Sequence, residues 1–231
     1  MLTIATIGTS VITRSFADAV SRVPDVQIGS VYSRDAARAA AFAAELGVAD
    51  SESDLAALLA DPAIAAIYVA SPNSVHAAQA AQALRAGKHV IVEKPAVTEI
   101  DDWDELVALS KQHGVVLLEA IRTRFDPGLA AVRDVLPQLG QLRRVMLRYE
   151  KRSSRYDLVL AGETPNIFDP RLGGGALRDL GIYCIHALIA LVGAPESVVA
   201  AAVRLPTGAD GLGTIVGSYP GFIADLHFSK I

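Results

Sequence analysis

The first half of the chain alternates short apolar runs with longer stretches in which apolar residues recur at helical spacing. The runs are rich in β-branched residues and stop at small or turn-forming residues. Such runs are typical of parallel strands that are buried on both faces. The predicted strands are Leu2–Ile7, Val26–Tyr32, Val48–Ala49, Ile64–Ala70, the run that ends at Glu93, and Val115–Ala120. Helices between them give repeated βαβ units, so the pattern predicts a doubly wound parallel sheet, a Rossmann domain, over residues 1–121.

The pattern changes beyond residue 121. Apolar and polar residues alternate through residues 144–150, as in a half-exposed strand. Further strands are predicted at 198–203, 214–217 and 222–231, and helices at 128–139 and after Gly173-Gly174-Gly175. A polar loop over 152–173 is long enough to suggest that it covers a site. We therefore expect an α/β protein whose second domain, residues 122–231, is α+β with a mostly antiparallel sheet.

The alternation of apolar and polar residues continues towards Ile231 without a turn or a helix cap. A strand exposed at the edge of a sheet is prone to pair with another chain. We therefore expect the last strand to be an exposed edge and the second domain to be incomplete. Either a partner covers that edge, or the sequence is a fragment of a longer protein.

Composition narrows the classes of function. The 231 residues carry a formal charge of −4 with both signs interspersed, which excludes the basic surface of a nucleic-acid or anionic-membrane binder. The one cysteine, Cys184, excludes an internal disulfide and a thiolate metal site, so no metal is predicted. No run reaches the roughly 18 apolar residues of a membrane span, and no cleavable leader is predicted. We expect a cytoplasmic protein whose partner is a small polar molecule.

The turn after the first strand is the first candidate for cofactor binding. In a dinucleotide-binding unit this turn presents backbone N–H groups and a helix N-terminus to the pyrophosphate. Only the first glycine of the usual fingerprint is kept, because Ser10 and Thr13 occupy the second and third places. The candidate residues are Gly8, Thr9, Ser10, Val11 and Ile12. An ordinary strand-to-helix turn is the alternative.

Residues at the end of the second strand indicate a preference between NAD and NADP. Ser33 and Arg34 stand where a site for NAD usually has an acidic residue that binds the adenosine ribose. A hydroxyl beside a guanidinium suits a 2′-phosphate, so NADP is favoured over NAD. The alternative is a surface Ser-Arg pair at a helix start, with Asp35 satisfying Arg34.

Two more strand ends carry polar residues. In an open α/β sheet ligands bind beyond the carboxyl ends of the strands. Candidate residues for the cofactor at these two ends are Ser71, Pro72, Asn73, His76, Glu93 and Lys94. Taken alone, Glu93 and Lys94 also fit a strand-end ion pair, and His76 also fits a packed histidine.

The second half holds the remaining candidates. Asp179, Tyr183 and His186 follow one another at spacings of four and three, which places them on one face of a regular helix. Three such residues are an unusual composition for a buried stripe, although a solvated helix face has the same pattern. Arg124 is a further cofactor candidate. Candidate substrate contacts are Arg122, Arg155, Asn166 and His186.

Taken together, the ordered motifs make the whole chain resemble the Gfo/Idh/MocA oxidoreductases. The motifs are Ser71-Pro72-Asn73 with His76, Ala86-Gly87-Lys88-His89-Val90 before Glu93-Lys94-Pro95, and Gly173-Gly174-Gly175-Ala176-Leu177 before Asp179-Leu180-Gly181-Ile182-Tyr183. Many members have histidine at the Tyr183 position. The tyrosine is similar to the branches of dimeric dihydrodiol dehydrogenase and glucose–fructose oxidoreductase.

The resemblance implies a reaction and an assembly. It implies reversible hydride transfer between NADP, or NAD, and a secondary alcohol or carbonyl of a sugar, polyol or dihydrodiol. It implies that Lys94 contacts both the nicotinamide ribose and the substrate, and that Tyr183, or Asp179 with it, handles the proton. It also implies a homodimer formed through the sheet of the second domain.

Two other functions are left open by the sequence. The reduced glycine fingerprint and the short second domain are also compatible with a non-catalytic NADP-binding sensor or scaffold, or with an inactive truncated fragment. The presence of Lys94, Asp179 and Tyr183 together favours the enzyme, because a sensor does not need a proton-handling face.

Overall fold

The computed structural model describes residues 1–231, and the chain divides into two compact units, Met1–Ala120 and Ile121–Ile231. The first unit contains six parallel strands in the order β3-β2-β1-β4-β5-β6. The strands are β1 Leu2–Ile7, β2 Val26–Tyr32, β3 Asp50–Glu52, β4 Ala66–Val69, β5 His89–Glu93 and β6 Leu117–Ala120. The helices are α1 Val11–Val20, α2 Ala36–Leu46, α3 Leu55–Ala60, α4 His76–Arg85 and α5 Ile100–His113. The predicted doubly wound parallel sheet is confirmed.

The strand order of the first unit creates the expected binding edge. The chain moves outwards from β1 through β2 to β3, then returns to the other side of β1 with β4. Such a reversal opens a crevice beyond the carboxyl ends of the strands on either side of it. The turns after β1, β2, β4 and β5 therefore lie at the edge where a ligand is expected.

Two elements in the first unit differ from a simple reading of the sequence. The third strand is Asp50–Glu52 and not Val48–Ala49, because Val48 packs against the small apolar cluster around Phe42 instead of pairing. A 3₁₀ turn, Asn73–Val75, precedes α4, and α4 itself begins at His76 with no side-chain capping bond. Asn73 therefore opens the 3₁₀ turn and does not cap the helix.

The second unit is built on a four-stranded sheet in the order β7-β10-β9-β8. The strands are β7 Arg144–Glu150, β8 Ser197–Arg204, β9 Asp210–Tyr219 and β10 Phe222–Ser229. Pairs β10–β9 and β9–β8 are antiparallel, whereas β10 and β7 are parallel, so the mostly antiparallel sheet is confirmed. Its helices are α6 Pro127–Val135, α7 Tyr156–Leu160 and α8 Ile182–Val192.

The position of β10 corrects one expectation. The last strand is an inner strand, hydrogen-bonded to β7 on one side and β9 on the other. Apolar and polar residues alternate through 222–229 because one face of the sheet packs on α8 and the other face is open. Inner strands and edge strands of such a sheet show the same alternation, so the pattern does not distinguish them. The prediction that the last strand is an exposed edge strand is therefore wrong.

The stretch between β7 and α8 is also more regular than predicted. Residues 152–173 contain the short helix α7 and 3₁₀ turns at Asn166–Phe168 and Pro170–Leu172, so they do not form a structureless loop. The helix after the three glycines begins as a π-helical turn, Leu177–Gly181, before α8. The prediction of one regular helix for 179–186 is corrected at its first turn, because Asp179 lies in a π turn while Tyr183 and His186 lie in α8.

One helical stretch, Pro170–Val192, is long and apolar enough to cross a membrane, because a window of 18 residues within it has a mean hydropathy of 1.5. Length and composition alone do not separate a membrane span from a core helix. Cys184 and Leu188 in this stretch are buried against the four-stranded sheet, and Asp179 in its first part is ion-paired with Lys230. Burial on a sheet and a paired charge are features of a core helix.

Candidate functional site

The turn after β1 is shaped around Gly8. Its φ is +110°, and a Cβ atom added there would lie 2.4 Å from the backbone oxygen of Ala70. The Gly8 amide donates to the Tyr32 carbonyl oxygen, and the Ala70 amide to the Ile7 carbonyl oxygen. The glycine is therefore required both for backbone conformation and for the close approach of the turns after β1 and β4.

The N-terminus of α1 has the features of an anion site. Ser10 caps the helix by position but makes no side-chain capping bond, and the first turn contains no acidic residue. The Ser10 hydroxyl lies 3.5 Å from that of buried Thr13, which fills the third glycine position. Val11 and Ile12 are exposed beside this end. First-turn N–H groups without intrahelical partners and the helix dipole both favour a phosphate here.

The turn after β2 exposes the pair predicted to select NADP. Asp35 caps α2 by accepting from the Arg38 amide, and its own amide donates to the Ser33 hydroxyl. Arg34 is exposed and forms no salt bridge with Asp35. The alternative in which Asp35 satisfies Arg34 is therefore not realised, and the guanidinium is available to an anion.

His76 connects the turns that follow β4 and β5. The imidazole is only 1% exposed, with Nε2 2.8 Å from the Ser71 carbonyl oxygen and Nδ1 2.9 Å from that of Pro95. Ser71 also donates its hydroxyl to Gln79 in α4 at 2.6 Å. A ring enclosed in this way cannot approach a cofactor directly, so we expect His76 to act by fixing Ser71 and the segment around Lys94.

Glu93 is also engaged within the first unit. Its carboxylate accepts the Tyr68 hydroxyl at 2.7 Å and the Lys94 amide at 3.2 Å. Tyr68 stacks on Phe16 of α1 with ring centroids 3.7 Å apart. Glu93 thus links the end of β5 to the helix that begins at the anion site, and it fixes the backbone from which the Lys94 side chain projects.

In the second unit an open pocket of about 380 Å³ surrounds the Tyr183 ring. Its lining residues are Arg122, Thr123, Asp126, Tyr149 and Tyr183. The Arg122 guanidinium lies 5.6 Å from the centroid of the Tyr183 ring, and the Tyr149 ring packs against it at a centroid distance of 5.3 Å. A guanidinium over an aromatic ring is attracted to its face, so this contact helps to fix the orientation of the ring. A phenol that lines an open pocket can transfer a proton.

The glycine run before the π turn brings the site elements together. A Cβ atom on Gly174 would lie 2.8 Å from the Asn166 carbonyl oxygen, and one on Gly175 would lie 2.1 Å from Asp210 Oδ1. Asp210 also accepts the Leu177 amide at 2.6 Å and so caps the π turn. The run therefore packs the turn at 166–168 and the start of β9 directly against the segment that carries Asp179.

Asp179 has a buried counter-charge. Its Oδ2 atom lies 2.8 Å from Nζ of Lys230, whose side chain is only 2% exposed. This lysine follows β10 and was missed by the sequence reasoning, which treated the end of the chain as an unfinished strand. A basic residue at a position that the alternation predicts to be buried is the signal that marks it.

Four other predicted residues of the second unit do not line the Tyr183 pocket. Arg124 instead lines a smaller cavity beside Arg133 and Ala190. Arg155 and Asn166 are exposed residues that precede α7 and open the turn at 166–168, respectively. His186 lies one turn beyond Tyr183 on α8. Tyr149, in contrast, does line the pocket, and its inward position on alternating β7 is the signal that was overlooked.

Comparison with known proteins decides the family. The profile of the oxidoreductase family with an NAD-binding Rossmann fold, GFO/IDH/MocA, matches residues 2–120, and that of the GFO/IDH/MocA C-terminal domain matches residues 133–231. The chain belongs to the GFO/IDH/MocA oxidoreductase family. The resemblance inferred from the motifs is thereby confirmed, and with it an NAD(P)-binding first unit.

Named members of the GFO/IDH/MocA family are similar over most of the chain. The scyllo-inositol 2-dehydrogenase (NADP(+)) IolU of Bacillus subtilis is 41% identical over all 231 residues, which span 70% of its length. The human trans-1,2-dihydrobenzene-1,2-diol dehydrogenase is 33% identical over 84% of this chain and 57% of its own. A solved 3-ketoreductase from Actinomadura kijaniata in complex with NADP is 27% identical, with a TM-score of 0.84 over 99% of this chain and 68% of its own.

Proposed function

We propose that the chain is an NADP-preferring dehydrogenase that transfers a hydride between nicotinamide and a secondary alcohol or carbonyl of a polyol, sugar or dihydrodiol. The observation that carries the proposal is the Tyr183 phenol in an open pocket against Arg122, in a chain whose other unit is NAD(P)-binding. The substrate class is taken from relatives named as inositol and dihydrodiol dehydrogenases.

The residues at the strand ends of the first unit fit the cofactor. The uncapped α1 N-terminus with Gly8, Thr9 and Ser10 would bind the pyrophosphate, and exposed Val11 and Ile12 would be covered by it. Ser33 and Arg34 would bind a 2′-phosphate through a hydroxyl and a guanidinium. The turn containing Ser71, Pro72 and Asn73, with Glu93, completes the set of the first unit that we assign to the cofactor. Arg124 of the second unit stays a candidate from the sequence alone.

In the proposed reaction, residues of the chain transfer one proton to the carbonyl oxygen or remove it from the alcohol. NADPH, when bound, would supply the hydride to the carbonyl carbon, and NADP⁺ would accept it in the reverse reaction. Tyr183 Oη donates its proton to the carbonyl oxygen as the alcohol forms, and the resulting phenolate regains a proton from solvent. The Arg122 guanidinium over the ring helps to hold the phenol in its pocket. Lys94 is assigned to the ribose and the substrate hydroxyl, where an ammonium can donate to both.

Removal of one hydroxyl tests the assignment. In Tyr183→Phe we expect kcat to fall by roughly a hundred- to ten-thousandfold, with the Kd for NADPH changed little, because only proton transfer is lost. The assay follows NADPH absorbance during reduction of a panel of inosose and dihydrodiol-derived ketones. Tyr156→Phe is the matched control, since this half-buried tyrosine lies outside the pocket and packs near Phe168.

Two outcomes would contradict the proposal. If Tyr183→Phe keeps near-full turnover, the phenol is not the proton donor. If the wild-type chain binds NADPH tightly but never oxidises it with any member of the panel, the sensor or scaffold function is favoured instead. Parallel titrations with NADPH and NADH measure the cofactor preference, and tighter binding of NADH would contradict the role given to Arg34.

We further propose that the protein is a cytoplasmic homodimer that associates through the four-stranded sheet. The face of this sheet opposite α8 carries exposed Met146 on β7 and Val199 on β8, which lie in one row across the paired strands. Exposed apolar rows on an otherwise alternating sheet are typical of association surfaces. A single buried thiol, Cys184, suits a reducing compartment.

A further inference from the structure

Lys230 is a buried lysine that no motif predicted. Its side chain is 2% exposed and its ammonium lies 2.8 Å from the Asp179 carboxylate. A buried ammonium is costly unless it is both paired with a charge and hydrogen-bonded. The carboxylate of Asp179, which is itself partly exposed, supplies the opposite charge.

Two further contacts fix the direction of this ammonium. Nζ donates to the Ile167 carbonyl oxygen at 3.0 Å and lies 4.6 Å from the centroid of the fully buried Phe168 ring. The carboxylate and the carbonyl oxygen accept from the ammonium, and the ring face attracts its charge. Nζ is therefore held in one place relative to Asp179, and the turn at 166–168 is tied to the π turn through it.

We propose that Lys230 is a positioning residue for the reaction, which keeps Asp179 ionised and fixed in orientation four residues before Tyr183. The inference rests on the proposed function. A general base must gain a proton, and an adjacent ammonium disfavours that gain. Asp179 then acts as a fixed negative charge, while Tyr183 carries the proton.

The elements that contact the π turn, β7, β9, β10 and α8, carry other ionisable groups. They include Arg148, Tyr149 and Glu150 on β7, Asp210 on β9, His227 on β10, and Tyr183, Cys184 and His186 on α8. Asp210 is bonded to the Leu177 amide, and His227 lies 3.2 Å from the Thr214 hydroxyl. Lys230, directly after β10, places a positive charge in contact with Asp179.

The test is the pH profile of kcat in Lys230→Gln, which removes the charge but keeps a hydrogen-bond donor. We expect kcat to fall about tenfold or more with KM changed less than about threefold, and the acidic limb of the profile to move up by roughly one pH unit. Lys230→Arg should restore most of the wild-type profile.

Lys88→Gln is the matched control, because buried Lys88 donates to the Asp61 and Ile64 carbonyls in the first unit. It should lower stability and leave the profile unchanged.

If the Lys230→Gln chain does not fold, a double variant tests the same inference. In Asp179→Asn/Lys230→Gln no unpaired charge is left in the interior, and we expect its kcat to equal that of Asp179→Asn within about twofold, since one residue acts through the other. A double variant much less active than Asp179→Asn would overturn the inference. So would a wild-type pH profile in Lys230→Gln. A wild-type chain with no turnover would overturn the proposed function and this inference together.

Discussion

Gly8 shows how a single residue decides whether two turns of the first unit can meet. A methyl group at this position would overlap the Ala70 backbone oxygen, and the φ of +110° is one that L-residues rarely adopt. The turn motif predicted this glycine correctly, because its role depends on local geometry. The Ala70 contact could not be predicted, since it joins segments that are far apart in the sequence.

We expect Gly8→Ala to destabilise the chain more than Gly47→Ala. Gly47 is also left-handed, with φ of +69°, but a Cβ there would meet nothing within 4 Å, so only a backbone cost of about 1–2 kcal/mol applies. Overlap at Gly8 should add about 1–3 kcal/mol. Urea denaturation followed by circular dichroism measures both free energies of unfolding. Equal losses in the two variants would contradict the close approach of the two turns.

At the scale of elements, alternation and apolar runs predicted most strands, and β1, β2 and β7 have the predicted bounds. The segment around Asp179 was predicted less well. Its regular spacing suggested one helical face, but Asp210 and the glycine run hold it as a π turn, and both act through contacts from β9 and from the turn at 166–168. Such contacts have no signature in a local pattern. Lys230 differs, because the alternation of the last strand places it on the buried face with Leu226 and Phe228.

The packing of α8 on the sheet makes a prediction about Cys184. Burial, with a smaller contribution from the charge of Glu150, raises the pKa of the Cys184 thiol to about 11. A thiol in the unfolded chain ionises near pH ~8.5, so the unfolded state loses its proton first and the free energy of unfolding falls as pH rises from about 9 towards 11. This stabilisation is fully present below that range.

The effect of this thiol should be on the order of 3 kcal/mol by pH 11. We expect Cys184→Ala to show a shallower loss of stability than the wild type between pH 8 and 11, measured by urea denaturation. Burial also raises the pKa of Tyr219, but this residue is common to both chains and cancels in the difference. Native protein at pH 8 should resist alkylation of the thiol. Identical slopes, or rapid alkylation, would contradict the packing of α8.

At the scale of the whole molecule, the sheet of the second unit has one face packed on α8 and one open face. The inward residues Leu147, Leu226 and Ile215 belong to the core cluster with Cys184. On the opposite face Met146, Val216 and Val199 share a row with buried Asp225, which pairs with Arg144. The sequence predicted the alternation but not this row, because register between strands sets which residues become neighbours.

We expect this open row to hold two copies of the chain together. The variant Met146→Glu/Val199→Glu places four like charges in a symmetric interface and should shift the chain towards monomer, which light scattering coupled to size exclusion can follow over a hundredfold range of concentration. Ile100→Glu is the matched control, since Ile100 at the start of α5 is 72% exposed and Val199 is 70% exposed. If the wild type is monomeric throughout, or if Ile100→Glu dissociates it equally, the sheet face is not the association surface. If only the sheet variant dissociates and NADPH still binds it, assembly and cofactor binding reside in separate units of the chain.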